Sequence, residues 1–194
     1  MNIVTTSVPN KNKRNTENDE ENDLIKKALL LSPLVYNATL KFQESFCKDG
    51  NYNKINEKIV LVEGIYFLLH LVDRSSFAIL GPEKRDTFMK VVENEIFEKV
   101  IESNKLRRTL IETYCMRQKM YSNYVWGEKL KSESPVGTLL WEFGKIVAEM
   151  IEEPKSEKIM YAKIDMFYTL KYFYPDVKKL LNTGKISPAY LSKK

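Results

Sequence analysis

Four side chains with acid, base or ligand chemistry share one face of a predicted helix, namely Glu63, Tyr66, His70 and Asp73. The surrounding stretch, from Ile59 to Phe77, is apolar on nearly every side in its first half, which predicts a helix that is buried all round. Glu63 and His70 stand two helical turns apart, so they lie on the same face. An imidazole titrates near neutral pH and neighbouring carboxylates can orient it, so this face could hold a base or a ligand site.

The same face also has a purely structural interpretation. His70 can be a hydrogen-bonded core residue, and Glu63 can pair with a basic residue of a neighbouring helix. The chain has one histidine, which excludes ferritin-like di-iron centres, HExxH zinc sites and zinc fingers. Phosphate loops of the GxGxxG and GxxxxGK[ST] types are absent from the sequence. We therefore expect neither a metal nor another cofactor.

A second candidate is a tyrosine-rich seam between the predicted fourth and sixth helices. Arg117 and Tyr121 lie on the fourth helix, and Asp165 and Tyr168 lie on the sixth, each with further tyrosines nearby. Tyrosine buries a large ring while its hydroxyl group needs a partner. If these stripes face each other or the central helix, Arg117 could pair with Asp165 or Glu63. The seam would then be either a polar part of the core or a groove for a ligand or a peptide.

The fourth helix also combines basic with aromatic residues, which can contact phosphates and stack on bases. These residues are Lys105, Arg107, Arg108, Arg117, Lys119, Tyr121, Tyr124 and Trp126. Acidic residues are spread through the same region, and no helix-turn-helix or RRM signature is visible. The net charge of +5 permits nucleic-acid binding without indicating it. We predict a solvated helix face here and not a nucleic-acid interface.

Composition and periodicity predict an all-α fold. Gly and Pro number only seven each, and helix-forming residues dominate. We predict a single domain of about six helices over residues 23–194, packed around a buried central helix over about residues 53–80. A disordered polar tail over residues 1–22 precedes it. Asn53 as the N-cap and Gly81-Pro82 as the stop define the central helix.

Prolines and capping residues predict the remaining boundaries. The first helix begins near residues 22–23 and kinks or restarts at Pro33. The fifth helix begins at Ser134, which precedes a proline, and presents Gly144 on a face that lets a neighbouring helix approach closely. The sixth helix ends at Pro175, followed by at most a turn or two.

These patterns identify neither a partner nor a reaction. The N-terminus lacks an apolar signal segment, and no apolar run reaches the ~18 residues of a membrane span, so we expect a cytoplasmic protein without such a span. Cys47 and Cys115 have no CxxC companion and are expected to be free thiols. We predict a non-catalytic helical binding module with a protein partner, and leave its oligomeric state open. The alternative is a small-ligand or enzymatic site lined by Glu63, His70, Asp73, Arg117 and tyrosines.

Overall fold

The computed structural model describes residues 11–48, 50, 52–100, 104–124, 138–153 and 155–185, with the backbone alone for 11–17 and 104–106. These residues form six α-helices, which confirms the predicted all-α fold. In chain order they are α1 (Lys11–Cys47), α2 (Lys54–Leu80), α3 (Pro82–Val100), α4 (Asn104–Tyr121), α5 (Leu139–Met150) and α6 (Ser156–Thr183).

Capping residues set both ends of α2, as the sequence predicts. The Asn53 side chain accepts hydrogen bonds from the backbone N–H groups of Ile55 and Asn56, both at 2.9 Å. At the other end, Gly81 has a φ of +80°, an angle that favours glycine because a side chain would be strained there. The next residue, Pro82, begins α3, where its missing N–H costs no helical hydrogen bond.

α2 is the central helix of the fold, because it contacts each of the other five helices. Residues 63–72 are all buried. The Phe67 ring packs against Phe143 of α5 and Tyr121 of α4, with centroids 4.5 and 5.5 Å apart. Gly64 lets α1 approach closely, since a Cβ atom here would lie 2.7 Å from Cγ2 of Thr39. Burying one large apolar side chain stabilises a folded protein by about 1.5–3 kcal/mol, so the many buried side chains of α2 stabilise the whole bundle.

α1 and α6 each continue through a proline, so two predicted boundaries are wrong. The first helix does not restart at Pro33, and the sixth does not end at Pro175. Both prolines are exposed. The carbonyl groups that lose a helical donor therefore face the solvent side, where water can bind them. α6 ends at Thr183, followed by Gly184 in the left-handed conformation with a φ of +68°.

α1 begins at Lys11, so the predicted start near residues 22–23 is wrong. Residues 18–23 are exposed, and the stretch from residue 11 to residue 23 contains Lys, Arg and Glu, which are strong helix formers. A helix can therefore extend beyond the core without burying side chains. An ion pair of 2.8 Å between Glu20 and Lys84 joins this extension to α3. Residues 1–10 lie outside the described residues, and the division into a tail and a domain stays a prediction.

α5 begins directly after Thr138, whose hydroxyl oxygen accepts a hydrogen bond from the Trp141 N–H at 3.2 Å. The predicted start at Ser134 lies outside the described residues. The inner face of α5 is strongly apolar and packs on α2 and α6.

α6 is apolar on two opposite faces. Its inner face packs on α1 and α5 and is formed by Ala162, Met166, Leu170, Phe173 and Val177. What we call the α6 outer face exposes Met160, Tyr161, Ile164, Phe167, Tyr168 and Tyr172. One apolar face is sufficient to hold a helix on a core. The outer face therefore needs a different explanation.

Candidate functional site

Glu63 and Arg117 form a bidentate ion pair between α2 and α4. Arg117 Nε lies 2.9 Å from Glu63 Oε2, and Arg117 Nη2 lies 2.8 Å from Oε1. The Glu63 side chain is 3% exposed and the Arg117 side chain 14%. The planar guanidinium group matches the two carboxylate oxygens, and its hydrogen bonds to Glu63 raise the pKa of Arg117. The pair therefore holds α4 in contact with α2.

Gln118, the next residue of α4, holds the single histidine of the chain in place. Its Nε2 donates to the Tyr66 carbonyl oxygen at 3.1 Å, and its Oε1 lies 2.8 Å from His70 Nδ1. An amide oxygen only accepts, so Nδ1 carries the proton and His70 Nε2 has a lone pair when the ring is neutral. Burial lowers the pKa of His70, although the hydrogen bond to Gln118 opposes this shift. The neutral ring is therefore favoured near pH 7.

Two buried polar atoms beside this network have no hydrogen-bond partner within the described part of the chain, His70 Nε2 and Tyr121 Oη. Their ring centroids are 5.5 Å apart. Burial raises the pKa of Tyr121 well above its usual value, so the side chain stays a phenol. A phenol donates and a bare imidazole nitrogen accepts, so the two atoms are complementary in chemistry. Tyr66 differs, because its hydroxyl group donates to the Leu110 carbonyl oxygen at 2.9 Å.

The other predicted site residues contact other parts of the structure. Asp73 turns toward α3 and forms an ion pair with Arg85. Asp165 accepts a hydrogen bond of 2.8 Å from the hydroxyl group of Ser45 on α1. Tyr168 belongs to the α6 outer face. The structure therefore joins Glu63, Tyr66, His70, Arg117 and Tyr121 in one place but not Asp73, Asp165 and Tyr168.

Of the two arrangements considered for the tyrosine-rich stripes, the stripe of α4 faces α2 and not the tyrosines of α6. Of the two partners considered for Arg117, the structure has Glu63 and not Asp165. The physical reason is that α6 buries its Ala162 face against α1 and α5, which turns its tyrosines outward. That the residues around Glu63 bind a ligand stays a prediction.

A cavity of about 520 Å³ opens beside the ion pair. Glu63 and Tyr66 line it together with mainly apolar side chains, among them Ile59, Val62, Val100 and Leu110. Two lysines, Lys58 and Lys99, add positive charge to its wall. Pockets for small ligands typically have volumes of about 300–1,000 Å³ and mostly apolar walls, so this cavity has a suitable size.

Two features escaped the sequence analysis. The Tyr114 hydroxyl group donates to Glu93 Oε1 of α3 at 2.7 Å, and burial raises the pKa of this carboxyl group. No spacing rule relates these two residues, because they lie on different helices. The exposure of the α6 outer face was also missed, although a signal existed. The stretch from Met160 to Tyr172 has more apolar residues than one inner face can use.

Within the described part of the chain, no group of three or more His, Cys, Asp or Glu side chains could hold a metal ion. None of its helices combines the length and the hydropathy that a bilayer crossing requires. Comparisons with models of known protein families, with curated proteins and with solved structures give no match. The function must therefore be inferred from the residues of this chain.

Proposed function

We propose that this protein is a non-catalytic binding module in the cytoplasm that binds a protein partner. The exposure of the α6 outer face is the observation that supports this proposal. Phe167 is 45% exposed and Tyr168 is 57% exposed, and both lie in a continuous row of large apolar side chains. Contiguous apolar patches on a protein surface mark interaction sites. Tyr, Phe and Met are also the residues enriched at the centres of protein–protein interfaces.

The α6 outer face stands on a rigid support. Its inner face is buried, and hydrogen bonds join its flanks to the rest of the bundle. Lys158 Nζ donates to Tyr52 Oη at 2.8 Å, and Ser45 Oγ donates to Asp165 Oδ1 at 2.8 Å. A partner would therefore meet aromatic side chains on a preformed helix. Such preorganisation lowers the entropic cost of binding.

Retention of a partner from an extract of cells that express the protein tests this proposal. The bait is the tagged full chain, compared with the double variant Phe167→Ser/Tyr168→Ser and a matched control, Phe77→Ser. Phe77 is also 57% exposed but lies on α2. Losing an aromatic anchor costs more than about 1.4 kcal/mol at a binding hot spot, so a specific partner should be retained at least about tenfold less by the α6 variant.

The control should retain that partner like the parent chain does. Equal retention of every protein by all three baits would overturn the proposal, because it would show that the α6 outer face contributes nothing. Circular dichroism of each bait checks that the fold is intact, which we expect because the altered side chains are exposed.

The cavity beside Glu63 supports a second candidate, the binding of a small apolar anion. Apolar side chains line most of it, and Lys58 and Lys99 supply positive charge. Dodecanoate, which has an apolar tail and one carboxylate, is a suitable probe. Calorimetric titration should show saturable binding that Val62→Trp, which fills the cavity, removes and that Phe77→Ser leaves unchanged. Binding that is insensitive to Val62→Trp would contradict this candidate.

A further inference from the structure

We propose that the occupant of the α6 outer face is a second copy of this chain, with the two α6 helices packed antiparallel about a two-fold axis at Ile164. This inference rests on the proposed function, because it names the partner of the same face. It is supported by the order of residues along α6. Large apolar residues lie at matching separations before and after Ile164, and two oppositely charged residues lie farther out on the two sides.

Five of the six apolar residues of the α6 outer face are placed symmetrically about Ile164, and only Tyr172 has no apolar counterpart. Tyr161 and Met160 precede Ile164 by three and four residues, and Phe167 and Tyr168 follow it by three and four. In an antiparallel pair, residues before Ile164 in one copy lie beside residues after it in the other. Tyr161 then lies beside Tyr168 of the other copy in an aromatic pair, because both are on the same flank of the face. On the other flank Met160 lies beside Phe167 in a sulfur–aromatic contact, so the face is complementary to itself.

Two opposite charges lie at equal separations from the proposed axis. Glu157 precedes Ile164 by seven residues and Lys171 follows it by seven, so both lie on the same helix face. Both side chains are exposed. The antiparallel arrangement brings Glu157 of each copy to Lys171 of the other. Because a two-fold interface repeats every contact, two identical ion pairs form.

Charge also selects the direction of packing. Parallel helices related by a two-fold axis would place Lys171 against Lys171 and Glu157 against Glu157 of the second copy. Like charges in contact disfavour an association and so exclude the wrong arrangement. The proposed interface extends for only about 22 Å along one helix, from Glu157 to Tyr172. An interface built on one helix face is small, so we expect a dimer that dissociates in the micromolar range.

Disulfide trapping in the full chain tests the axis. In a background with Cys47→Ser and Cys115→Ser, Ile164→Cys places a thiol on the axis, opposite its own copy. Mild oxidation should link this variant into a covalent dimer. Tyr172→Cys is the matched control, because its two copies would be separated by about 24 Å of helix. That exceeds the Cα separation of about 7 Å that a disulfide can span, so this variant should stay monomeric.

Charge reversal tests the direction and needs no cysteine. Sedimentation equilibrium of the native chain and its variants gives the dimer dissociation constant. Lys171→Glu should raise this constant about tenfold, because each dimer then has two like-charge contacts. Glu157→Lys should have the same effect. The double variant Glu157→Lys/Lys171→Glu should restore the constant of the native chain, since it exchanges the charges of each pair.

Each other outcome overturns the inference. A native chain that stays monomeric up to millimolar concentration has no such dimer. If the α6 outer face still retained a different protein from an extract, the proposed function would stand and only the second copy would be refuted. Equal disulfide formation by Ile164→Cys and Tyr172→Cys would refute the axis. A double charge reversal that fails to restore the dimer would refute the antiparallel direction.

Discussion

Gly144 of α5 lies directly against Ile159 of α6, because a Cβ atom on Gly144 would stand 2.6 Å from the Ile159 carbonyl oxygen. It would also stand 3.3 Å from Ile159 Cγ2. A backbone oxygen cannot move aside unless its helix moves. This confirms the prediction that Gly144 lets a neighbouring helix approach closely, and it identifies α6 as that helix.

Replacing Gly144 should therefore destabilise the protein. Leu is the better helix former by about 1 kcal/mol, so Gly144→Leu would stabilise the protein if this position were exposed. Here overpacking should instead lower the free energy of unfolding by about 1–3 kcal/mol, as measured by urea denaturation. Glu149→Leu, at an exposed position of the same helix, is the control and should change stability by less than about 0.5 kcal/mol. A higher urea midpoint for Gly144→Leu would contradict the close contact.

Arg117→Met should destabilise the protein by about 3–5 kcal/mol, because it leaves the Glu63 carboxylate buried without its counter-charge. Adding Glu63→Met should recover most of this loss, since an apolar pair of similar volume can replace a buried ion pair. Urea unfolding of the parent, both single variants and the double variant measures the coupling between the residues. If a single variant were more stable than the parent, the pair would be a site kept at the expense of stability.

Acid should weaken the fold through His70. Burial lowers the pKa of this imidazole in the folded protein, whereas in the unfolded chain it titrates near its usual value of about 6.5. Below that pH the unfolded state binds a proton that the folded state does not bind. The free energy of unfolding therefore falls with falling pH, by at most about 1.4 kcal/mol per pH unit. The stabilisation from neutral His70 is complete at pH values above the unfolded pKa. It is lost progressively as the pH falls toward the folded pKa.

His70→Gln is the matched variant for this effect, because its amide can still donate to Gln118 but does not titrate. Urea unfolding between pH values of about 7.5 and 5.5 spans the unfolded pKa of histidine. The variant should lose less stability than the parent over this interval. Identical losses would show that His70 titrates alike in both states.

Cys115 should react with a thiol reagent much faster than Cys47. Both thiols are free, and Cys115 is exposed. Burial, reinforced by the negative charge of Glu57, raises the pKa of Cys47 to about 11. At pH 8 only about one in a thousand of its side chains is then the reactive thiolate. A chromogenic disulfide reagent should show two phases, of which Cys115→Ser removes the fast one. A single phase for both thiols would contradict this expectation.

Helix ends that depend on local chemistry were predictable from the sequence. Asn53 caps α2 with its own side chain, and Gly81 adopts an angle that suits glycine, whatever surrounds them. The effect of a proline depends instead on which side of its helix faces solvent. A single sequence does not determine that rotation for a helix that has apolar residues on more than one face. The sequence alone therefore predicts breaks at Pro33 and Pro175, although both helices continue through them.

The candidate site was predictable for α2 but only in part for α4. The helical period places Glu63 and His70 on one face without further information. Their partners depend on how α4 lies across α2. In the structure Arg117 binds Glu63 and the next residue, Gln118, binds His70, and no spacing rule predicts these pairs. Which face of α6 is buried, namely the one with Ala162, likewise depends on how all the helices pack together.

The position of α2 has a consequence for how the protein opens. Because this helix contacts each of the other five, none of them can leave without exposing part of it. The amide hydrogens of residues 63–72 should therefore exchange with solvent only when the whole bundle comes apart, at the free energy of global unfolding. A partner on the α6 outer face would thus slow exchange along α6 while the rate at the centre of α2 reports the stability of the entire molecule.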